Sequence, residues 1–234
     1  MEASPKEMTM EMEQETRETI FAESDGALPL WEIASVVLSF LIAEWMVLPF
    51  AGNSKLVAAF PLSLAFALMF FSHRAHHETA REIGWRLDNF WQAARLLILP
   101  MLAAAILIVA IGLMKRSLRF DGQQMLEWAL WLPLWGLMQQ YVLQGFVNRR
   151  AQLVFGRSWK SLLLVALVFA LLHLPNPWLA FATFLGGLLW AYVYQRAPNL
   201  IALALSHALM SMLLACSLST STLNSLRVGI KYFG

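Results

Sequence analysis

AARLLILPMLAAAILIVAIGLM, residues 93–114, carries one charge, Arg95, in 22 positions. An α-helix rises about 1.5 Å per residue, so about 20 apolar residues cover a hydrocarbon core about 30 Å thick. The run meets that length, shows no strict alternation, and is about twice as long as the roughly 10-residue strand of a membrane β-barrel. In hydrocarbon every backbone N–H and C=O must find an internal partner, which a helix provides within one segment. The run therefore reads as a membrane-spanning helix.

Similar runs lie on both sides of it. The spans read at 30–50, 56–72, 93–114, 127–147, 162–174, 178–194 and 200–218, with ends uncertain by a few residues. The fifth is short for a crossing; it either extends back toward Trp159 or sits tilted in a locally thinned site. The 59% hydrophobic and 14% charged composition and mean hydropathy of +0.59 lie far from the soluble average of about half apolar and a quarter charged. The expected fold class is all-α, a polytopic integral membrane bundle of about seven transmembrane helices.

Residues 1–26 differ in character, with eight acids (Glu2, Glu7, Glu11, Glu13, Glu15, Glu18, Glu23, Asp25) against Lys6 and Arg17. Such a segment reads as a solvated, disordered tail, and residues 27–234 as the membrane domain. The acidic flank does not fit a cleavable secretory signal. With seven spans, basic residues favour the side of the N-terminus and the even-numbered loops, where Arg81, Arg86, Arg149, Arg150, Arg157 and Lys160 fall. That bias predicts a cytoplasmic N-terminus for a multi-pass protein of the cell membrane.

The connector His73–Trp91 (HRAHHETAREIGWRLDNFW) mixes Trp85, Phe90 and Trp91 with charges. It reads as an interfacial segment facing lipid headgroups, where indoles prefer to sit. His73, His76 and His77 lack the completed ligand spacing of a metal site, although Glu78 and Glu82 are near. The single Cys216 leaves no intrachain disulfide and no thiolate cluster, and reads as a small buried hydrophobe. Gly136, Gly145 and Gly186-Gly187 would let helices approach closely. No phosphate loop, dinucleotide fingerprint or nucleic-acid motif is present. Membrane lipids and a membrane-associated peptide or protein remain as partners, with no cofactor, no metal and no nucleic acid expected.

Amides and imidazoles are costly in hydrocarbon, so each one there marks a candidate functional site. Gln139-Gln140-Tyr141-Val142-Leu143-Gln144 lies in the fourth span, Phe169-Ala170-Leu171-Leu172-His173 in the fifth, and His207-Ala208-Leu209-Met210-Ser211 in the seventh. Gln140 and Gln144 share a helix face, as do Phe169 and His173, and His207 and Ser211; Gln139 is turned about 100° from Gln140. Three helices are thus expected to point amides, two imidazoles and a hydroxyl at a common cavity.

Over about residues 126–214 this pattern resembles the CPBP family, which contains CAAX prenyl endopeptidases together with bacteriocin-processing and abortive-infection proteins. The family's motifs run Glu-Glu-x-x-x-Arg, Phe-x-x-x-His, then His-x-x-x-Asn or Asp. Phe169, His173 and His207 match. Gln139, Gln140, Gln144 and Ser211 stand where the family has two acids, an arginine and the final amide or acid. The resemblance implies an intramembrane endopeptidase in which Gln139 occupies the base position and His173 sits beside the water. It places His207 and Ser211 at the oxyanion, with Gln140 and Gln144 replacing an ion pair.

A glutamine amide is too weakly basic to take a proton from water, though it can orient a water or donate to an oxyanion. His173 is then the expected base, since imidazole titrates near neutrality. Glu127 lies about 18 Å along the helix from Gln139, and no spacing places Glu44 in the site. Ser206 and Ser211 beside His207 suggest a nucleophile, but no acid orients that histidine as a serine triad requires. Removing one member of a buried ion pair strands the other at about 3–5 kcal/mol, whereas replacing all members avoids the penalty. Three functions follow: a peptidase with an altered site, a catalytically silent protein that holds a peptide or partner helix in the retained cavity, or a transporter or lipid-handling role, for which no paired charges or inverted repeats speak.

Overall fold

Apolar runs become helices wherever the chain is described, and no strand occurs among the described residues of the computed structural model, 27–50 and 55–234. The acidic segment 1–26 lies outside them. In chain order the elements are α1 (Ala27–Phe50), α2 (Lys55–Ala75), a short α3 (Ala80–Ile83), α4 (Phe90–Met114) and α5 (Gly122–Gln140). A π-helical stretch, Tyr141–Asn148, continues α5 without a break into α6 (Arg149–Phe155). Then follow α7 (Trp159–Leu171), α8 (Pro177–Arg196), α9 (Leu200–Ser217) and α10 (Thr220–Leu223).

Four helices, α1, α4, α8 and α9, are long and apolar enough to cross a membrane. The apolar helices Ala59–Ala75 and Trp159–Leu171 are shorter. Their outward faces carry large apolar side chains, as in Leu99, 75% exposed on α4, and Phe60, 73% exposed on α2. A water-soluble protein avoids contiguous apolar surface on this scale, whereas a bilayer solvates it.

Helices meet in lipid through small residues, because the tails are as apolar as leucine and leave packing as the attraction. A Cβ on Gly136 of α5 would lie 3.0 Å from the Ala204 carbonyl oxygen of α9, and one on Gly187 of α8 would lie 3.0 Å from Ala166 Cα of α7. Both pairs are contacts between backbones. Gly186 has a different role from the helix approach expected of it: its missing side chain is replaced by the Trp190 ring of its own helix, 2.8 Å from where a Cβ would stand.

Caps mark the helix starts. Asp121 accepts from the Gln123 and Gln124 amides, Asn176 from Leu179, and Asn199 from Ala202, each relieving orphan N–H groups of a first turn. Asn199 also fastens the connector, donating through Nδ2 to Arg86 O at 2.7 Å and Asn89 Oδ1 at 2.8 Å. Tyr194 adds a hydrogen bond to Ile83 O at 2.7 Å.

Candidate functional site

The π-helical stretch begins one residue after Gln139-Gln140. Its wider turn, closed by bonds five residues apart, keeps side chains four apart roughly in line. Gln140, Gln144 and Asn148 are all fully buried. Asn148 Nδ2 donates to Gln144 Oε1 at 2.8 Å, and Asn148 Oδ1 accepts from Gln152 Nε2 at 3.0 Å and from Gln195 Nε2 at 2.9 Å. Gln195 Nε2 also donates to Ser161 Oγ at 2.9 Å.

The ladder stops at Gln144. Gln144 Nε2 and Gln140 Oε1 are buried and take no hydrogen bond. They are a donor and an acceptor in the order that an arginine and a glutamate at those positions would present. The two glutamines do not bond each other. Gln140 turns instead to α9, where its Nε2 donates to His207 Nδ1 at 3.2 Å. Gly136, one turn earlier, makes that approach possible: its absent Cβ would lie 3.6 Å from His207 Cβ.

His173 lies beyond the end of α7 and not on the helix, its amide bonded to Ala170 O at 3.0 Å in the following turn. It still meets Phe169, with ring centroids 4.7 Å apart. The helix starts at Trp159, as the backward extension expected, but ends at Leu171 and stays short at 13 residues. Phe169 also touches His207 at 5.7 Å, and Trp190 stacks on His207 at 4.6 Å. Both imidazoles therefore flank one phenyl ring, reached from α7 and α9.

Hydrogen bonding fixes the tautomers of the neutral rings. His173 Nδ1 lies 2.8 Å from Phe169 O, and a carbonyl only accepts, so Nδ1 carries the proton and Nε2 a lone pair. His207 Nδ1 faces a donating amide, so its proton sits on Nε2. One ring offers an acceptor and the other a donor.

Gln139 and Ser211 are half-buried and make no side-chain hydrogen bond among the described residues. Ser206 is engaged twice, donating to Leu203 O at 2.8 Å and accepting from Trp190 Nε1 at 2.9 Å, and neither partner is a base. Glu127 pairs with Gln123 in the first turns of α5. Glu44 packs against Gly229, whose amide donates to Leu174 O at 2.9 Å beside His173. Two cavities of about 470 and 410 Å³ lie away from the histidines, one at the start of α7 and one at the start of α5. Among the described residues no group of three or more His, Cys, Asp or Glu is placed to hold a metal ion.

Part of the connector turns into the protein, while Arg74, His77 and Arg81 stay exposed. His73 is buried and the Glu78 side chain is largely covered, and His73 Nδ1 donates to Glu78 Oε2 at 2.5 Å. Arg150, fully buried, reaches Glu78 Oε1 at 3.0 Å and Glu32 Oε2 at 2.7 Å. Arg149 Nε lies 2.5 Å from Glu78 Oε1. This ionic node ties α1, α2 and α6 together at one end of the bundle. Trp85 and Trp91 of the connector are exposed.

Burial raises the Glu78 carboxyl, but hydrogen bonds from His73, Arg150 and Arg149 outweigh it and hold the group at about 2. A carboxylate depressed on folding contributes stability that is fully present above its unfolded value, 4.5, and is lost as pH falls toward 2. The unfolding midpoint is expected to drop across that window, and Glu78→Gln to flatten the drop. A pH series of thermal unfolding in detergent checks this; an equally steep drop in Glu78→Gln would assign the acid sensitivity elsewhere.

Residues 121–213 match the family model described as type II CAAX prenyl endopeptidase Rce1-like. Through this segment, less than half of its length, the chain is similar to the CAAX prenyl endopeptidases of the CPBP family. Neither a curated protein nor a solved structure matches the chain. The Rce1-like segment runs from the N-cap of α5 to the later part of α9 and holds every motif position named from the sequence. The buried ionic node draws its acids, Glu32 and Glu78, from outside it.

Proposed function

We propose that the protein is a CPBP-type intramembrane endopeptidase acting on membrane-associated peptides or proteins, in which His173 takes over as base. The observation that carries this reading is the complementary polarity of the two histidines. His173 Nε2 has the lone pair needed to draw a proton from water, and His207 Nε2–H is the donor needed for a developing oxyanion. Gln140 sets the second tautomer and is a positioning residue. The amide at Gln139 orients a water without taking its proton. Proton transfer by a positioned base is worth about 10²–10⁴ in rate.

The silent-binder reading rests on a different observation: the Glu-Glu-x-x-x-Arg positions hold three amides and no charge, so nothing there ionises. Cleavage separates the two. Purified protein in nanodiscs is expected to cut members of a membrane-anchored peptide library, and His173→Ala to reduce the rate by about 10²–10⁴. Glu44→Gln is expected to leave it within about threefold, as no contact brings that acid to the reacting atoms. Silence of the wild type across the library would favour the binder. Cleavage undiminished in His173→Ala would move the base elsewhere. The basic bias of one set of loops supports a cytoplasmic N-terminus in the plasma membrane.

A further inference from the structure

The cavity of about 470 Å³ between the start of α7 and the end of α8 has no part in the chemistry above. Its polar lining is Arg157, Ser158, Gln195 and Arg196, with no carboxylate. The acids of the connector at the same end are already engaged: Glu78 by Arg149, Arg150 and His73, Glu82 by Thr79, and Asp88 by Arg81 and Arg86. Arg157 and Arg196 make no ion pair among the described residues.

The site is also built. The Arg196 guanidinium lies 3.8 Å over the Tyr192 ring, which sets its plane, and a planar arginine fork matches phosphate oxygens. Trp159, on the cavity wall and 68% exposed, has the place of an interfacial indole. Gln195, 8% exposed, uses Nε2 on Asn148 and Ser161, while its Oε1 accepts no hydrogen bond among the described residues. The lining thus offers two cations for an anion and, beside them, an acceptor for a donor.

We infer that this cavity binds the phosphodiester of a membrane lipid whose headgroup carries a hydrogen-bond donor, as glycerol and ethanolamine do and choline does not. The phosphate lies between Arg157 and Arg196, and the headgroup donor reaches Gln195 Oε1. The lipid then sits at one end of the buried amide chain that runs from Gln195 through Asn148 to Gln144 of the motif.

The test uses the full chain, released from nanodiscs of equal phosphatidylglycerol, phosphatidylethanolamine and phosphatidylcholine, with retained lipid counted by native mass spectrometry. Wild type is expected to retain phosphatidylglycerol and phosphatidylethanolamine over phosphatidylcholine by about tenfold or more, and R157Q/R196Q to lose that preference. Both arginines are exposed, and R74Q, which changes an exposed arginine elsewhere, is expected to keep it. An unchanged unfolding midpoint in lipid-free detergent shows that the double variant is folded; if it is not, R157Q alone carries the comparison. Displacement of the retained lipid by millimolar inorganic phosphate would show that the arginines read the phosphate itself, and resistance would show that the chains contribute. Equal retention of phosphatidylcholine by wild type, or a preference that survives in R157Q/R196Q, overturns the proposal.

Discussion

Arg150→Met is expected to lower stability by about 3–5 kcal/mol, the cost of leaving buried charge without its partner. Arg150 is fully buried and is held by Glu78 on one side and Glu32 on the other, so its loss takes an arginine from two carboxylates at once. Arg149 remains against Glu78, but among the described residues no other arginine reaches Glu32, whose second ionic contact is His76 at 3.3 Å. Arg150→Lys keeps the charge and loses the fork that bonds Ser72 and Glu78 together, so an intermediate loss is expected. Neutralising the acids as well, in Arg150→Met with Glu32→Gln and Glu78→Gln, is expected to recover most of the stability. Denaturant midpoints of the four proteins in one detergent check the series. A loss under about 1 kcal/mol in Arg150→Met would mean that the node is wet and not a buried pair.

Gln139→Glu is expected to raise peptide cleavage by about 10²–10⁴, the usual contribution of a positioned general base. Gln139 is half-buried and free of side-chain hydrogen bonds, so a carboxylate of nearly the same shape fits without displacing a partner. Gln140→Glu provides the contrast. Gln140 is sealed and holds His207 through its Nε2, so a carboxylate there removes the donor, reverses the His207 tautomer and takes the Nε2 proton from the oxyanion side. The rate is expected to fall. A steady-state assay on one library peptide compares them, and a gain in Gln140→Glu with none in Gln139→Glu would exchange the two roles.

The apolar run at 93–114 and its neighbours made the helical membrane fold readable, because length and hydropathy alone decide which segments a bilayer accepts. Helix ends were less readable. Nothing in composition announces that α7 stops at Leu171 and that His173 sits on the turn, or that the turn of the helix widens after Gln140. The amide ladder could have been found from sequence, since Gln144, Asn148 and Gln152 recur every four residues; Gln195 could not, as it arrives from another helix. Arg150 was hidden for a physical reason. An arginine near a helix end is ordinarily read as reaching outward to the interface, and only partners more than 70 positions away make its burial tolerable. The motif histidines were visible as polarity in the wrong solvent, but their opposite tautomers depend on a carbonyl and an amide that only folding brings to them.

The most direct test of this account is the protonation of those two rings. Solid-state NMR of bilayer-embedded protein labelled with ¹⁵N-histidine is tractable, as the chain holds five histidines, and His173→Phe and His207→Phe assign the signals. His173 is expected to be protonated at Nδ1 and His207 at Nε2, one acceptor and one donor beside Phe169. His173 protonated at Nε2, or His207 at Nδ1, would contradict it.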